Sequence, residues 1–231
     1  MERRLSDKLT AEGRRYRILE AGLACFSQKG FRGTTTKEIA EAAGCSEATI
    51  FQHFASKAVL YGAVLEAKTE VEEILAKAAD AAARKDDAGV LRAIGIGYLT
   101  RTEHDSSLMR LFIYSALEGN ERAGRFFRSR VTRVHEFLSS YLQERITEGV
   151  FRPVDPLVTA RAFVGMVVYY LLLHEIFGVK RPPDISSEQV IDTFVTLFLE
   201  GITERGGSGQ EVRKASTPSP APLHHRGRGG R

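Results

Sequence analysis

Apolar residues recur along this chain at the three- and four-residue spacing of helices almost from end to end, and no stretch alternates as a strand would. Arg14 to Gln28 is an amphipathic helix with Ile18, Leu19, Ala21, Leu23, Cys25 and Phe26 on its inner side. Thr35 and Glu38 have the spacing of a capping box, so a second helix starts there, and Ile39, Ala40 and Ala43 give it a small-residue inner face. Gly44 supplies the left-handed residue that ends it. Ser46 is the N-cap of a third helix whose buried stripe is Ile50 and Phe54. Two short helices joined by so tight a turn make a helix-turn-helix, a unit whose second helix enters the major groove of DNA.

The pattern continues past Ser56, which can cap a helix running through Leu60, Val64, Leu65, Val71, Ile74 and Leu75. Lys68, Glu70, Glu72, Glu73 and Lys77 mark its wet face, and Lys85-Asp86-Asp87 breaks it. Val90 to Arg101 is apolar and holds Gly95 and Gly97, each costing about 1 kcal/mol in an isolated helix, so close packing or room for a ligand is their use. Further helices are Ser106 to Leu117, Glu121 to Glu148 with Gly149 as its stop, Asp155-Pro156 to Phe177 with Gly178 as its stop, and Ser186 to about Gly201. The fold class is all-α, about nine helices. It divides into an N-terminal three-helix domain (1–56), a helical second domain (57–205) and a Gly, Ser, Pro, His and Arg tail (206–231) too poor in apolar residues to order.

Composition narrows the class. The chain has 231 residues, 43% of them hydrophobic, and a formal net charge of +4. That charge is unevenly placed. Residues 1–57 carry ten Lys/Arg against seven Asp/Glu, the tail carries five against one, and the stretch between is net negative. Positive charge therefore gathers at the helix-turn-helix end and the tail, as attraction to phosphate requires. Cys25 and Cys45 have no zinc or disulfide spacing, suit a reducing cytosol, and are read as small buried hydrophobes. Glu20 interrupts the early apolar run, so no signal peptide is expected, and a cytoplasmic location is the expectation. The uncharged run Ala162 to Leu173 is shorter than the roughly 20 residues a bilayer span needs and reads as a buried or interface helix.

The polar residues left off the Ile50/Phe54 stripe carry the chemistry. Thr49, Gln52 and His53 can bond phosphate or base edges. Lys57 follows Ser56 at a helix start, a place suited to gripping phosphate. The run Ile18 to Leu60, about the first quarter of the chain, resembles the DNA-binding domain of the TetR/AcrR family of bacterial repressors. The matching elements are A-x-x-x-F before Lys29-Gly30-Phe31, Thr34-Thr35 before I-A-x-x-A-G, then Ser46, Thr49, His53-Phe54, Lys57 and Leu60. Phe51 stands where the family usually has Tyr and offers phosphate no hydroxyl; Ala48 replaces a common Gly. The resemblance and the polar face together place Thr34, Thr35, Thr36, Lys37, Ser46, Glu47, Thr49, Phe51, Gln52, His53 and Lys57 at DNA.

The resemblance further implies a dimer formed by the last two long helices and a small-molecule inducer held by the second domain. Val164, Val167, Val168, Leu171 and Leu172, with Ile191, Phe194, Val195, Phe198 and Leu199, offer more apolar surface than one helix face needs, which agrees with dimerisation. Candidate ligand residues are Tyr98, Met109, Phe112, Phe127, Phe163, Met166, Tyr170 and His174, with Tyr114 and Phe126 beside them. For any one of them, filling the core is the commoner use. Glu118 and His174 are candidate polar anchors, and His174 can instead pair with Glu175 on the surface. No cofactor or metal is expected. The expected function is a ligand-responsive repressor, bound as a dimer to a palindromic operator and released by a small, largely apolar inducer. A ligand-independent, constitutive or architectural DNA-binding protein is the alternative. An enzyme is not expected: the chain has no nucleophile elbow, paired-carboxylate motif, H-E-x-x-H or phosphate loop.

Overall fold

A computed structural model describes residues 11–68, 71–104, 106–119 and 121–204; side chains at 68, 101–104, 121–123, 125–127, 130 and 131 are not described. The tail expected to lack order and the side chains of Phe126 and Phe127 therefore lie outside the described residues. Within them the protein is helical. The elements are α1 (Ala11–Gly33), α2 (Thr36–Ala43), α3 (Glu47–His53), α4 (Lys57–Lys68), α5 (Val71–Ala83), α6 (Asp87–His104), α7 (Ser107–Leu117), α8 (Glu121–Thr147), α9 (Pro156–Leu171) and α10 (Ser187–Ile202). The stretch read as one helix after Ser56 is thus described as α4 and α5, on either side of residues 69–70.

Local sequence explains the ends. Thr35 Oγ1 accepts from the Glu38 N–H while the Glu38 carboxylate accepts from the Thr35 N–H, so the capping box is complete. Gly44 closes α2 in the left-handed region, at φ 64° and ψ 40°. Asp155 caps α9 ahead of Pro156, and Ser186 caps α10 in a second capping box. The helix expected to run from Asp155 to Phe177 changes pitch after Leu171, and Leu172–Ile176 is a π-helical turn.

Two apolar cores are built from these elements. The first gathers Ile18, Leu23, Phe26, Ile39, Ile50, Phe54, Leu60, Tyr61, Val64 and Leu65, and it also includes Leu111 of α7. Packing thus places the Leu60–Leu65 face of α4 with the N-terminal helices, although the sequence reading opened the second domain at Lys57. The second core is formed by α5, α6, α8, α9 and α10 around Ile94, Leu99, Val134, Leu138, Phe163, Val167 and Ile191. Gly95 and Gly97 serve close packing there: a Cβ at Gly95 would lie 2.9 Å from Ile191 Cδ1 and one at Gly97 2.6 Å from Ile74 Cγ1. Arg145, nearly buried, ties α8 to the start of α6 through both Asp87 oxygens, at 2.8 and 3.0 Å, and the Tyr141 hydroxyl donates to the same carboxylate at 2.5 Å. An isolated antiparallel bridge between Phe151 and Thr203 fastens the end of α10 beside the chain leaving α8.

Candidate nucleic-acid interface

The reading helix is held by its own sequence. Ser46 Oγ accepts from the Thr49 N–H at 3.1 Å, Ile50 is fully buried, and Phe54 closes α3 with its N–H on the Ile50 carbonyl. This fixes α3 against α2 and turns Gln52 and Phe51 to solvent, Phe51 with 48% of its surface exposed. The Phe51 ring is therefore not packed away, although it has no hydroxyl to offer. Lys37 is exposed on α2. His53 is half-buried beside Phe54. Thr36 and Glu47 bond each other across the turn between α2 and α3. Thr35 and Ser46 spend their hydroxyls on caps, and the Thr49 hydroxyl lies 2.8 Å from that of Ser46.

Two residues expected at DNA are turned inward instead. Thr34 is fully buried; its hydroxyl reaches the Gly30 carbonyl at 2.8 Å and the Cys25 carbonyl at 3.2 Å. A threonine just before a helix cap serves the preceding turn as readily as DNA, and here the turn takes it. Lys57 Nζ donates to the carbonyls of Phe31 at 2.8 Å and Thr34 at 2.7 Å and sits 4.4 Å from the Phe31 ring centroid. Two of its three N–H donors thus hold the α1–α2 turn. Its neighbour Ser56 does cap α4, accepting from the Val59 N–H at 3.2 Å.

One other cation in the same head was not singled out from sequence. The Arg15 guanidinium lies 4.7 Å from the Phe54 ring centroid, at the C-terminal end of α3, so α1 brings a cation beside the reading helix. The signal available was the cluster Arg14, Arg15 and Arg17. Lys29 pairs with Glu38 at 2.6 Å. That hydrogen bond, with those from Thr35, holds the Glu38 carboxyl down at about 2.

Glu118, taken from sequence as an anchor for a ligand, faces the N-terminal core. Its carboxylate accepts from the N–H groups of Phe31 and Arg32, both at 3.0 Å, and its carbonyl accepts from the Arg32 guanidinium at 3.2 Å. Tyr114, one turn earlier on α7, donates its hydroxyl to the Gln28 carbonyl at 2.9 Å. The sequence signal for this contact was the pairing of a helix-ending Glu with a glycine turn 88 residues earlier, which only the fold brings together.

Residues 18–64 match the family model described as bacterial regulatory proteins, tetR family, and residues 89–201 match the C-terminal domain of AefR-like transcriptional repressors. The HTH-type transcriptional regulatory protein RaaS of Mycobacterium tuberculosis is 31% identical over 74% of this chain and 76% of its own. The chain belongs to the TetR family. It is a transcriptional regulator with a DNA-binding helix-turn-helix, and not an enzyme. This TetR-family chain is also 28% identical to the HTH-type regulator YvkB of Bacillus subtilis, over 81% of its own length and 96% of that protein. Among solved structures, AibR in complex with isovaleryl coenzyme A and operator DNA is 25% identical with a TM-score of 0.63, covering 80% of this chain and 97% of that one.

The second domain of this TetR-family protein scatters the candidate ligand residues. Phe163 is fully buried and packs edge-on against Phe198 at 5.1 Å, so it fills the core. Phe112 packs on the N-terminal core, while Tyr98, Met109, Met166 and Tyr170 are half-buried against the second. Burial alone pushes the Tyr98 hydroxyl up to about 12. His174 does not pair with Glu175: its Nδ1 lies 2.6 Å from the Val179 carbonyl and its ring 4.3 Å from that of Tyr170, while Glu175 binds Arg181 at 2.7 Å. A groove of about 240 Å³ between α5 and α6 is lined by Glu73, Ile74, Lys77, Ala93, Ile96, Gly97 and Thr100; of these the sequence pointed only to Gly97, as room for a ligand. Among the described residues no group of His, Cys, Asp or Glu could hold a metal ion.

Proposed function

We propose that this TetR-family regulator is a dimeric repressor that reads a palindromic operator with Lys37, Phe51 and Gln52 and is released by a small, largely apolar ligand in its second domain. The observation that carries the dimer is an unpartnered apolar stripe on α9. Val158, Ala162, Gly165 and Tyr169 are all exposed at helical spacing, and Leu197 is exposed on the adjacent α10. Positions Gly165 and Gly201 face open space, so a second helix can approach their backbones closely. The stretch Pro156–Ile176 is long and apolar enough to cross a membrane by length and composition, and its most apolar window is only 28% buried in one copy. The uncharged run 162–173 thus understated how apolar this helix is. Phe163, Val164, Val167 and Leu171 commit its inner side to the core, so a second copy of the chain covers the outer side.

A two-fold dimer matches a two-fold operator, with half-sites about one helical turn apart. Exposed Gln52 suits a base edge and Lys37 a phosphate. Support for a ligand that acts on DNA binding comes from AibR, solved with isovaleryl coenzyme A and operator DNA together. The half-buried Tyr98, Met109, Met166 and Tyr170 offer the apolar lining a small, largely apolar ligand needs, with His174 as a polar neighbour. The second domain spans α5, α6 and α8 to α10, and the DNA-binding head spans α1 to α4.

Sedimentation and footprinting test this reading together. Wild-type protein should sediment as a dimer and protect two symmetric half-sites. Gly165→Glu, which puts a charge into the stripe, should give a folded monomer with one-half-site protection. A Gly165→Glu dimer, or an asymmetric wild-type footprint, sinks the proposal.

A further inference from the structure

We infer that Glu118 of α7 is a positioning residue for DNA binding: its carboxylate caps the α1–α2 turn from the second half of the chain and sets where the reading helices sit. The inference rests on the repressor reading above and names its route of regulation. Gly30 breaks α1 at φ 73° and ψ 179°, and the chain re-enters a helical turn at Phe31. The N–H groups that open such a turn have no partner within it, and the residue before normally caps them with its side chain. Gly30 has no side chain. Glu118 supplies the missing oxygens, Oε2 to the Phe31 N–H and Oε1 to the Arg32 N–H, both at 3.0 Å. The fit is close: a Cβ on Gly30 would lie 2.3 Å from Glu118 Oε1. The contact is also reciprocal, because the Arg32 guanidinium donates to the Glu118 carbonyl at the C-terminal end of α7, where a cation is favoured.

Both ends of this link lead somewhere. On the DNA side, the same turn is held from its carbonyl face by Lys57 and braced internally by Thr34. Thr35 follows directly and caps α2, and α2 carries α3. A displacement of Glu118 therefore reaches the start of α2 within five residues. On the other side, Met109 of α7 packs on the second core, and the Arg110 guanidinium donates to the Glu175 carbonyl at 2.9 Å, in the π-helical turn after α9. An 11-residue helix thus joins the second core to the DNA-reading head at one carboxylate.

The test uses the full chain and a duplex selected from a random-sequence pool by the wild-type protein. Three readouts are compared for wild type, Glu118→Gln and Tyr114→Phe. They are thermal unfolding, affinity for the selected and a scrambled duplex, and hydrogen exchange in residues 107–117 with and without the selected duplex. Glu118→Gln presents an NH2 donor to one of the two N–H groups. It should fold, lose about tenfold in affinity for the selected duplex, within the usual range of coupling, and keep its affinity for the scrambled one. The selected duplex should slow exchange in α7 of the wild type and leave that of Glu118→Gln unchanged. Tyr114→Phe cuts the neighbouring α7–α1 hydrogen bond and should retain the α7 response. Wild-type affinity and an intact α7 response in Glu118→Gln overturn the inference even if its melting temperature falls, since Glu118 is then only structural. An equal loss in Tyr114→Phe also overturns it, because any α7–α1 contact would then serve. If Glu118→Gln does not fold, Tyr114→Phe and an Arg32→Ala variant decide: a retained response in the first and a lost one in the second support the clamp, and the reverse overturns it. Failure of the wild type to select any duplex would instead sink the repressor reading.

Discussion

Replacing Gly30 with alanine separates backbone strain from a displaced carboxylate, because Gly44 provides the control. Gly30 sits at φ 73° and ψ 179°, a region open essentially to glycine alone, so strain costs any other residue about 1–3 kcal/mol. The added Cβ would also lie 2.3 Å from Glu118 Oε1 and 3.1 Å from Tyr114 Cδ1, and the carboxylate must withdraw. Hydrogen bonds to a charged acceptor are worth about 1.5–3 kcal/mol each; one of the two here is exposed and is discounted, since water replaces it. The expected cost of Gly30→Ala is about 3–5 kcal/mol, a large part of a typical stability of about 5–15 kcal/mol. Gly44 has φ 64° and ψ 40° with nothing within 4 Å of its Cβ position. Gly44→Ala therefore meets strain alone, about 1–2 kcal/mol. Urea denaturation followed by circular dichroism measures both. A double-mutant cycle of Gly30→Ala with Glu118→Ala isolates the displaced carboxylate as a coupling of about 1–3 kcal/mol. Equal costs for Gly30→Ala and Gly44→Ala, or strict additivity in the cycle, would refute the reasoning.

Three more outcomes follow from the same geometry. Lys57→Met should lower stability by about 1.5–3 kcal/mol, because two carbonyls lose a charged donor; wild-type stability with a salt slope reduced by about one unit would return Lys57 to phosphate. Asp87→Ala leaves the nearly buried Arg145 guanidinium paired with Glu148 alone and should cost about 1.5–3 kcal/mol in urea denaturation; adding Arg145→Met should recover part of that, and no recovery would mean the pair is not the cause. Acid should destabilise the head in one window: the Glu38 carboxyl is held at about 2 against an ordinary 4.5, so its contribution is full above 4.5 and is lost as pH falls towards 2. Glu38→Gln should flatten the stability curve in that interval, and an unaltered curve would remove Glu38 from the acid transition.

Local signals were legible where a residue acts on its own neighbours. The capping box at Thr35 and Glu38, the left-handed Gly44 and the Ser46 cap are all decided within five residues, and sequence order alone exposes them. The stripes of α1 to α4 were legible for the same reason, since a 3.6-residue period reports which side is buried. What sequence could not report was which core a helix joins. The apolar side of α7 looked like pocket lining, yet Leu111 is fully buried in the N-terminal core and Phe112 packs on it. Nor could sequence say which polar groups the fold would consume. Thr34, Lys57 and Glu118 each carry a side chain suited to phosphate or ligand, and each is spent on backbone groups of the α1–α2 turn. The partners of Glu118 lie 86 and 87 residues away, a separation no local pattern encodes.

The concentration of long-range polar contacts on that turn bears on how regulation can work. A ligand shifts DNA affinity only through its different affinities for the DNA-bound and free forms, and typical coupling is about 1–3 kcal/mol. One or two hydrogen bonds to a charged group supply that much. No large rearrangement of the second core is then required. A small slide of α7, enough to lengthen the Glu118 contacts to Phe31 and Arg32, already spans the energy needed, while Leu111 keeps the helix seated in the head. On the proposed Glu118 clamp the reverse must hold as well: DNA that orders the α1–α2 turn would draw Glu118 towards it and hold α7 in place. A ligand that needs α7 elsewhere must then bind the operator complex more weakly than the free protein, by the same factor.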